Sequence, residues 1–415
     1  MLSQDPARHA RRASPWRRRG RLALVCVTVL SLSGLSVAAI AVWQTLGRMS
    51  PGIHLAHPEA TGSATPQGPE ALAGSIDILL VGTDTRTGQG SEFADADNQD
   101  SSSGSGNNDV TMVLHVTADH SNATVISIPR DTVLPVPECP SPEPGASPAE
   151  TIDATDSAMF NTTLARGGLP CTVLTVEKLT GLTIPFAAII DFEGVKAMSE
   201  AVGGVTVCVA TPIDDSDTGL HLGAGEQTLL GESALQFVRT RHGVGDGSDL
   251  GRISDQQIFL SALMRKMTSA GVLANPIALY SLANAVTSHL DLSDTLQDPA
   301  RLVSIALAVR DVSLNQMAFV RYPVVADPEN RNRVVPDPDS AADFNEALRS
   351  DQPIRPTPTP APTASDDPMA LEVTAAPSAS PTATIPATDE TRTAAPEPDN
   401  VTGQTADQAE CAVGN

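Results

Sequence analysis

The stretch IDILLVGTDTR (Ile76–Arg86) decides the fold of this chain, because a short aliphatic run passes directly into a polar loop. A run of this length and composition is typical of a buried β-strand. Further short apolar runs of the same kind predict strands at Thr111–Val116, Thr124–Ile128, Ile184–Ile190, Val205–Val209 and Gln316–Tyr322.

Helical patterns lie between and after these runs, at about 172–180, 193–202, 232–238, 252–269, 276–288 and 298–310. Strands that alternate with helices predict an α/β fold, in which a layered sheet is flanked by helices on both faces.

The first 43 residues predict a membrane anchor. Seven arginines occur in residues 1–21, and the 22 residues from 22 to 43 carry no charge. A helix of that length spans the roughly 30 Å apolar core of a bilayer, and the arginines keep their end in the cytoplasm. We therefore expect a cytoplasmic basic tip over 1–21, one transmembrane helix over 22–43 and an extracytoplasmic chain beyond it. A cleaved signal peptide is the alternative, although its apolar core usually has only about 7–15 residues.

The rest of the chain divides by composition. Residues 44–74 predict a linker, 75–350 contain the strands and helices of one domain, and 351–415 form a tail rich in Pro, Thr and Ala that we expect to be disordered. The formal net charge of −23 excludes generic nucleic-acid binding, which needs a basic face. Any anion bound outside the membrane must be held by locally clustered arginines.

The cysteines lead to separate expectations. Cys139 and Cys171 flank a Pro-rich insertion in an oxidising compartment, so we expect a disulfide between them, with two unrelated thiols as the alternative. Cys208 lies in an apolar strand and is predicted to be a buried hydrophobe. Cys411 stands alone in the expected tail and has no predicted role.

Four polar clusters at the ends of the apolar runs contain the candidate site residues. They are Gly82–Arg86, Asn107–Asp109, Ser127–Asp131, and Arg239–His242 followed by Arg252, Asp255 and Gln256. Ligands bind at strand ends in open α/β sheets, and arginine suits the bidentate capture of phosphate. Arg239 and Arg241 are two residues apart, so they would point to one face of an extended segment. Arg252 opens a predicted helix, where a cation opposes the helix dipole and favours an anion nearby.

Each cluster taken alone also fits an ordinary surface arrangement. An arginine beside an aspartate, as at Arg130-Asp131 or at Arg86 near Asp84, is commonly an exposed ion pair. Asp249 before Arg252 fits a simple helix cap. The functional interpretation therefore depends on the clusters occurring together.

Together, these motifs resemble the LytR-CpsA-Psr family. The resemblance covers roughly residues 75–325 and is carried by ILLVGTDTR (78–86), DVTM (109–112), SIPRDT (127–132), TVEKLTGL (175–182), DFEG (191–194), GGV (203–205), FVRTRH (237–242) and DLGR (249–252). The Cys139/Cys171 pair and residues 243–251 are similar to the actinobacterial branch. The fold implied is a layered mixed β-sheet flanked by helices on both faces, preceded by one transmembrane helix.

The resemblance implies a cell-wall ligase anchored in the cell membrane. Such a phosphotransferase moves a teichoic-acid-like or other anionic wall polymer from a polyprenyl-diphosphate carrier to peptidoglycan. It implies that Asp84 and Asp109 hold Mg²⁺ or Mn²⁺, and that Arg130, Arg239, Arg241 and Asp84 act in catalysis. The residues implied to bind the diphosphate are Arg86, Arg130, Arg239, Arg241, Arg252 and Gln256. One departure concerns Asn107, because many members carry an arginine at this position.

Two other functions remain open. A non-catalytic module that binds lipid-linked polymer or regulates wall synthesis would need the arginines but not Asp84 and Asp109. A polyprenyl-diphosphate hydrolase would share the site and use water as the acceptor. Phosphoryl transfer itself needs chiefly positioning and charge neutralisation, which arginines and metal-bound carboxylates supply. The lipid chain is expected in an apolar cleft between the sheet and the helices around 172–202 and 252–269.

Overall fold

A mixed β-sheet places the first three polar clusters of the sequence at one of its edges, and two helices carry most of the fourth. The computed structural model of the chain describes residues 52–55, 72–87, 102, 105–142, 150–245, 247, 249–269, 288–357 and 401–415. All structural statements refer to these residues.

The strands lie close to the predicted positions. In chain order they are β1 (Ile76–Thr83), β2 (Asn108–Val116), β3 (Ala123–Ser127), β4 (Val133–Val136), β5 (Cys139–Pro140), β6 (Thr151–Ile152), β7 (Thr155–Met159), β8 (Phe186–Ile190), β9 (Val205–Thr211), β10 (Ile213–Asp215), β11 (Leu220–Leu222), β12 (Gly225–Leu229), β13 (Leu290–Leu292), β14 (Met317–Arg321), β15 (Val324–Ala326), β16 (Val334–Pro336), β17 (Gly403–Thr405) and β18 (Cys411–Val413). The strands predicted from apolar runs are all present, with bounds that differ by at most about three residues.

The helices are α1 (Thr163–Thr180), α2 (Phe192–Ala201), α3 (Glu232–Arg239), α4 (Asp249–Ser269), α5 (Pro299–Arg310) and α6 (Pro338–Arg349). α1 begins earlier than predicted, because it continues across a kink at Gly167 and Gly168. The helix predicted over 276–288 lies outside the described residues.

The main sheet has the strand order β13-β8-β1-β2-β3-β14-β17. β1 pairs antiparallel with β2 and parallel with β8, and β3 pairs parallel with β14. The end of β1, the start of β2 and the end of β3 therefore share one edge. This edge carries Asp84, Asp109 and Arg130.

Helices cover both faces of the sheet, which confirms the layered α/β prediction. On one face Leu79, Val81 and Val113 are buried in a core that α1 and α6 complete. On the other face Leu80 and Met112 border a cavity that α2 and α4 close. A three-stranded sheet of order β12-β9-β18 packs against α3 and α4 and forms a second core.

The expectations for the cysteines and the tail are partly wrong. Cys139 and Cys171 form the expected disulfide. Cys208 is not an isolated buried hydrophobe, because it forms a disulfide with Cys411. The disorder expected over 351–415 is also wrong for residues 401–415, where β17 pairs with β14 and β18 pairs with β9. Composition missed this order because the segment has few apolar residues, of which Val401 and Ala412 are buried in the two cores, and because it depends on pairing with distant strands and on a cross-link.

The basic tip over 1–21, the predicted transmembrane helix over 22–43 and most of the 44–74 linker lie outside the described residues. Within the described ranges, no helix combines the length and the apolar character needed to cross a bilayer.

Candidate functional site

An elongated cavity of about 430 Å³ opens between the main sheet, α2 and α4. Its volume is within the range of small-molecule binding pockets. Along α4 the lining changes from Arg252 and Gln256 to Phe259, Leu263 and Met267. At 1.5 Å per residue this row extends about 22 Å, so the cavity has a polar end and a long apolar end.

The apolar end is the cleft that the sequence predicted, with one correction. Val195 and Met198 of α2 and Leu260 of α4 line it, opposite Leu80 and Met112 of the sheet. No residue of 172–180 contributes, because α1 packs on the opposite face of the sheet.

Asp84 lies in the loop after β1 and holds the segment before β2. Its Oδ1 accepts hydrogen bonds from Ser102 Oγ at 2.7 Å and from the Asn107 backbone N–H at 2.6 Å. Asn107 Nδ2 also donates to Asp84 Oδ2 at 3.4 Å. Asn107 therefore orients the carboxylate of Asp84.

Asp109 is paired with two of the predicted arginines. Arg130 Nη1 donates to Asp109 Oδ1 at 2.5 Å, and Arg252 Nη2 donates to the backbone carbonyl of Asp109 at 2.6 Å. The Arg130–Asp109 pair links the end of β3 to the start of β2, so the third and second clusters of the sequence meet directly.

Asp249 joins three of the arginine-bearing segments, a role that the sequence argument did not assign. Its Oδ1 accepts from Arg241 Nη2 at 3.3 Å and lies 2.5 Å from Arg252 Nη2. Its Oδ2 accepts from the backbone N–H of Arg130 at 3.3 Å. The anion expected beside Arg252 is thus present within the chain, so the position of Arg252 is not by itself evidence for a bound ligand.

Arg239 has a different environment. Its guanidinium lies over the ring of Phe192, with Cζ 4.3 Å from the ring centroid, in a cation–π contact. Burial lowers the pKa of Arg239, and the nearby charge of Arg86 lowers it further. The guanidinium nevertheless stays protonated, because arginine is not deprotonated in proteins at neutral pH.

Burial and neighbouring charges also act on the paired residues. Burial lowers the pKa of Arg130, but Asp109, Asp131 and Asp249 reverse this effect, so the pKa lies above its ordinary value. Burial raises the pKa of Asp131, and Arg130 opposes that rise. For Arg252 burial prevails, and its pKa is lowered despite Asp249.

The site retains buried donors without acceptors. The Nε atoms of Arg130, Arg241 and Arg252 are buried and have no hydrogen-bond partner among the described residues. Gln256, by contrast, is used internally, because its Nε2 donates to the Val238 carbonyl at 3.0 Å. Buried donors are normally satisfied, so the unpaired Nε atoms fit a site that receives oxygen atoms of a ligand.

The two aspartates leave one carboxylate oxygen each for a cation. Asp84 Oδ1 and Asp109 Oδ1 are occupied by short hydrogen bonds. Asp84 Oδ2 has only the 3.4 Å contact with Asn107, and Asp109 Oδ2 lies 4.0 Å from Arg252. Mg²⁺ typically binds one or two carboxylates together with substrate phosphates. The donors present therefore fit Mg²⁺ in combination with a phosphorylated ligand.

The structure brings most of the predicted residues to one place. Asp109, Arg239, Arg241, Arg252 and Gln256 all line the cavity, and Arg130 contacts Asp109. Asp84 and Arg86 lie close enough to change the pKa of Arg239. The sequence argument missed two contributors. Asp249 was visible in DLGR beside Arg252, whereas nothing local indicated that the Phe192 ring would lie under Arg239.

Sequence comparisons identify the same family that the motifs of the site resemble. The LytR_cpsA_psr family model matches residues 54–350. The cell wall biosynthesis protein LcpA of Corynebacterium glutamicum is 32% identical over 322 residues, which are 74% of this chain and 60% of that protein. The polyisoprenyl-teichoic acid–peptidoglycan teichoic acid transferase TagU of Oceanobacillus iheyensis is 29% identical over 225 residues, covering 54% of this chain and 61% of that protein.

A solved structure shares the fold. Protein gbs0355 of Streptococcus agalactiae aligns with a TM-score of 0.53 at 20% identity, covering 67% of this chain and 89% of that chain. The chain spans about 60% of the length of the curated relatives named above. Because the family model covers well over half of the chain, and the motifs that carried the resemblance meet in one site, the chain belongs to the LytR_cpsA_psr family.

Proposed function

We propose that this chain is a Mg²⁺-dependent phosphotransferase that attaches an anionic wall glycopolymer to peptidoglycan from a polyprenyl-diphosphate carrier. The observation that carries the proposal is the cavity, whose lining along α4 changes over about 22 Å from an arginine-rich end to an apolar end. A lipid diphosphate has the same division into a charged head and an apolar chain. The transferase name of the Oceanobacillus iheyensis relative supports a teichoic-acid-like polymer as the donor.

In this proposal the arginines bind the diphosphate and the cavity holds the lipid. Arg130, Arg241 and Arg252 are oriented by Asp109 and Asp249, and their buried Nε atoms are donors for phosphate oxygens. The apolar side chains of α2 and α4 exclude water from the lipid and fix the direction in which the carrier enters.

The chemical step needs little covalent help from the protein. A hydroxyl oxygen of peptidoglycan forms a bond to the phosphorus next to the sugar, the bond from that phosphorus to the bridging oxygen breaks, and polyprenyl monophosphate leaves. The hydroxyl proton passes to solvent water in the same process. Preorganised guanidinium groups stabilise the charge that develops on the phosphoryl oxygens. Mg²⁺, held by Asp84 and Asp109, would neutralise additional charge on the diphosphate.

The carrier and the acceptor also support a membrane location. A polyprenyl carrier resides in the membrane, and peptidoglycan lies outside it. We propose that residues 22–43 anchor the chain as a single span, with the basic tip in the cytoplasm and the 75–350 domain outside.

The decisive experiment supplies the full chain in detergent with a polyprenyl-diphosphate-linked saccharide, peptidoglycan fragments and MgCl₂. We expect sugar phosphate to become attached to the fragments, and EDTA to abolish the attachment. Asp84→Asn should lose turnover and still bind the carrier, because Arg130, Arg241 and Arg252 keep the aspartates that orient them. MnCl₂ in place of MgCl₂ tests whether the site accepts either ion.

Two outcomes would overturn the proposal in different ways. Release of sugar phosphate to water without attachment to the fragments would indicate a hydrolase. Tight carrier binding without turnover in the presence of either metal would indicate a binding or regulatory module.

A further inference from the structure

Residues 401–415, which we call the strap, run across both sheets of the molecule. β17 pairs antiparallel with β14 at the edge of the main sheet, and β18 pairs parallel with β9 in the small sheet. Between these strands the strap follows the outer side of α4. Arg265 Nη1 donates to the carbonyls of Ala406 at 2.9 Å and Gln408 at 2.6 Å, and Gln404 Nε2 donates to Ser261 Oγ at 3.0 Å.

Two glycines allow the strap to lie this close. A Cβ atom on Gly403 would overlap the backbone carbonyl of Phe319, and one on Gly414 would overlap the carbonyl of Pro212. Because the obstructing atoms are backbone atoms, they cannot rotate away as a flexible side chain would. Each end of the strap therefore docks only with glycine at that position.

The final residues of the strap contact the loop that follows Arg241. Gly414 forms a bridge with Val244, and the Asn415 backbone N–H donates to the Gly243 carbonyl at 3.2 Å. The Asn415 side chain donates through Nδ2 to the His242 carbonyl at 2.7 Å. Residues 242–244 are thus held by hydrogen bonds from a segment that is distant in sequence.

Arg241 is restrained from a second direction. The buried Asp215 accepts hydrogen bonds through Oδ2 from the Arg241 backbone N–H at 3.0 Å and from Thr240 Oγ1 at 2.6 Å. Asp215 fixes the backbone before the loop and the strap fixes the backbone after it. The side chain of Arg241 then lines the cavity and reaches Asp249.

We infer that the strap positions Arg241 for the diphosphate, and that Asn415 is a positioning residue for this arginine. The inference rests on the proposed function for the identity of the ligand, but the contacts of the strap do not depend on it. Neither Gly414 nor Asn415 lines the cavity, so they act through the 242–244 backbone. The strand pairs that the strap forms with β14 and β9 account for the order of this largely polar segment beside the site.

The test compares two strap variants with two controls. Gly414→Ala moves the end of the strap away from Pro212, because the added Cβ would overlap the Pro212 carbonyl. Asn415→Asp removes the Nδ2 donor to the His242 carbonyl and keeps the size of the side chain. His242→Ala is the comparison for loop contacts that do not involve the strap, because it removes the pair between His242 Nδ1 and Asp217 Oδ2 at 2.8 Å and preserves the backbone carbonyl that Asn415 contacts. Asp407→Ala is the control for the strap, because this exposed residue lies far along the strap from Gly414 and bonds to Thr405.

Two measurements are made on each full-length protein. Hydrogen exchange of the 241–245 amides reports the loop directly, and we expect faster exchange in both strap variants and no change in Asp407→Ala. Affinity for farnesyl diphosphate in MgCl₂ should fall by about tenfold or more in the strap variants, since the loss of one hydrogen bond between charged groups weakens binding by about that factor. Affinity for farnesol should stay unchanged, because the apolar end of the cavity is intact.

Unchanged exchange of the 241–245 amides in Gly414→Ala would overturn the inference, whatever the ligand. Equal losses of farnesol and farnesyl diphosphate binding would also overturn it, because they would indicate general loosening of the domain. If the unmodified protein binds no farnesyl diphosphate, the proposed function fails, and the exchange data alone decide the role of the strap.

Discussion

Asp249→Asn is expected to destabilise the folded chain by roughly 3–5 kcal/mol, which is the usual cost of removing one partner from a buried ion pair. The side chains of Asp249 and Arg252 are each only 6% exposed, and the pair is separated by 2.5 Å. Removing the carboxylate charge leaves Arg252 buried with no ion-pair partner closer than Asp109 at 4.0 Å. Arg241, which is 25% exposed, can be rehydrated and should contribute less.

Asp131→Asn is the matched control. Asp131 lies in the same site, but its side chain is 25% exposed and its contact with Arg130 is longer, at 3.5 Å. Partly exposed pairs contribute about 0–1 kcal/mol, so this substitution should change the free energy of unfolding little. The two substitutions remove the same charge, and they differ in the burial of the partner.

Urea unfolding at pH 7, followed by far-UV circular dichroism, measures both changes. Tryptophan fluorescence is unsuitable, because Trp16 and Trp43 precede the folded domain in the chain. Adding Arg252→Met to Asp249→Asn removes the unpaired cation, so most of the lost stability should return. A loss of less than about 1 kcal/mol in Asp249→Asn, or no recovery in the double variant, would refute the reasoning.

Three further outcomes are expected. Arg130→Lys should leave the fold intact and severely reduce transfer of sugar phosphate, because an ammonium cannot replace the bidentate guanidinium; full transfer would remove Arg130 from the site. Burial raises the pKa of Asp255 from 3.8 to about 8. The folded chain therefore keeps a proton that the unfolded chain loses, so Asp255 lowers stability as pH rises from about 4 to 8. Asp255→Asn should weaken this decline in urea titrations at pH 5 and pH 8, and an unchanged pH profile would contradict it. Replacing Cys208 and Cys411 together by serine should lower the melting temperature. The cross-link joins residues that are 203 apart, and the chain entropy that it removes from the unfolded state stabilises the fold by about 5 kcal/mol. An unchanged melting temperature would contradict this stabilisation by the disulfide.

The long strands could be predicted because their signal is local. β1, β2, β3 and β14 are runs of aliphatic residues that end in polar or turn residues, and each is longer than four residues. A strand buried against helices on both faces must consist of such residues, so its composition identifies it. The edge of the sheet that collects Asp84, Asp109 and Arg130 then follows from the strand directions.

β17 and β18 could not be predicted, because nothing in their own residues requires a strand. Each has three residues within a segment rich in polar and small side chains. Their order comes from pairing with β14 and β9 and from the Cys208–Cys411 disulfide. These contacts join residues that are distant in the chain, and a sequence pattern contains no information about such pairs.

The arginines of the site differ in the groups that they contact. Arg130 is paired with Asp109, and Arg241 and Arg252 share Asp249, so these three cations are oriented before a ligand arrives. Arg239 instead rests on the Phe192 ring, and its pKa is lowered by burial and by Arg86.

A partly buried cation that is not neutralised by a bonded carboxylate raises the free energy of the empty site. In the proposed function, a phosphate therefore gains more from Arg239 than from an arginine whose charge is already paired with an aspartate. The motif FVRTRH thus supplies two arginines with different roles. In the proposed function, Arg241 belongs to the network that fixes the geometry, and Arg239, which has no bonded carboxylate among the described residues, attracts the anion.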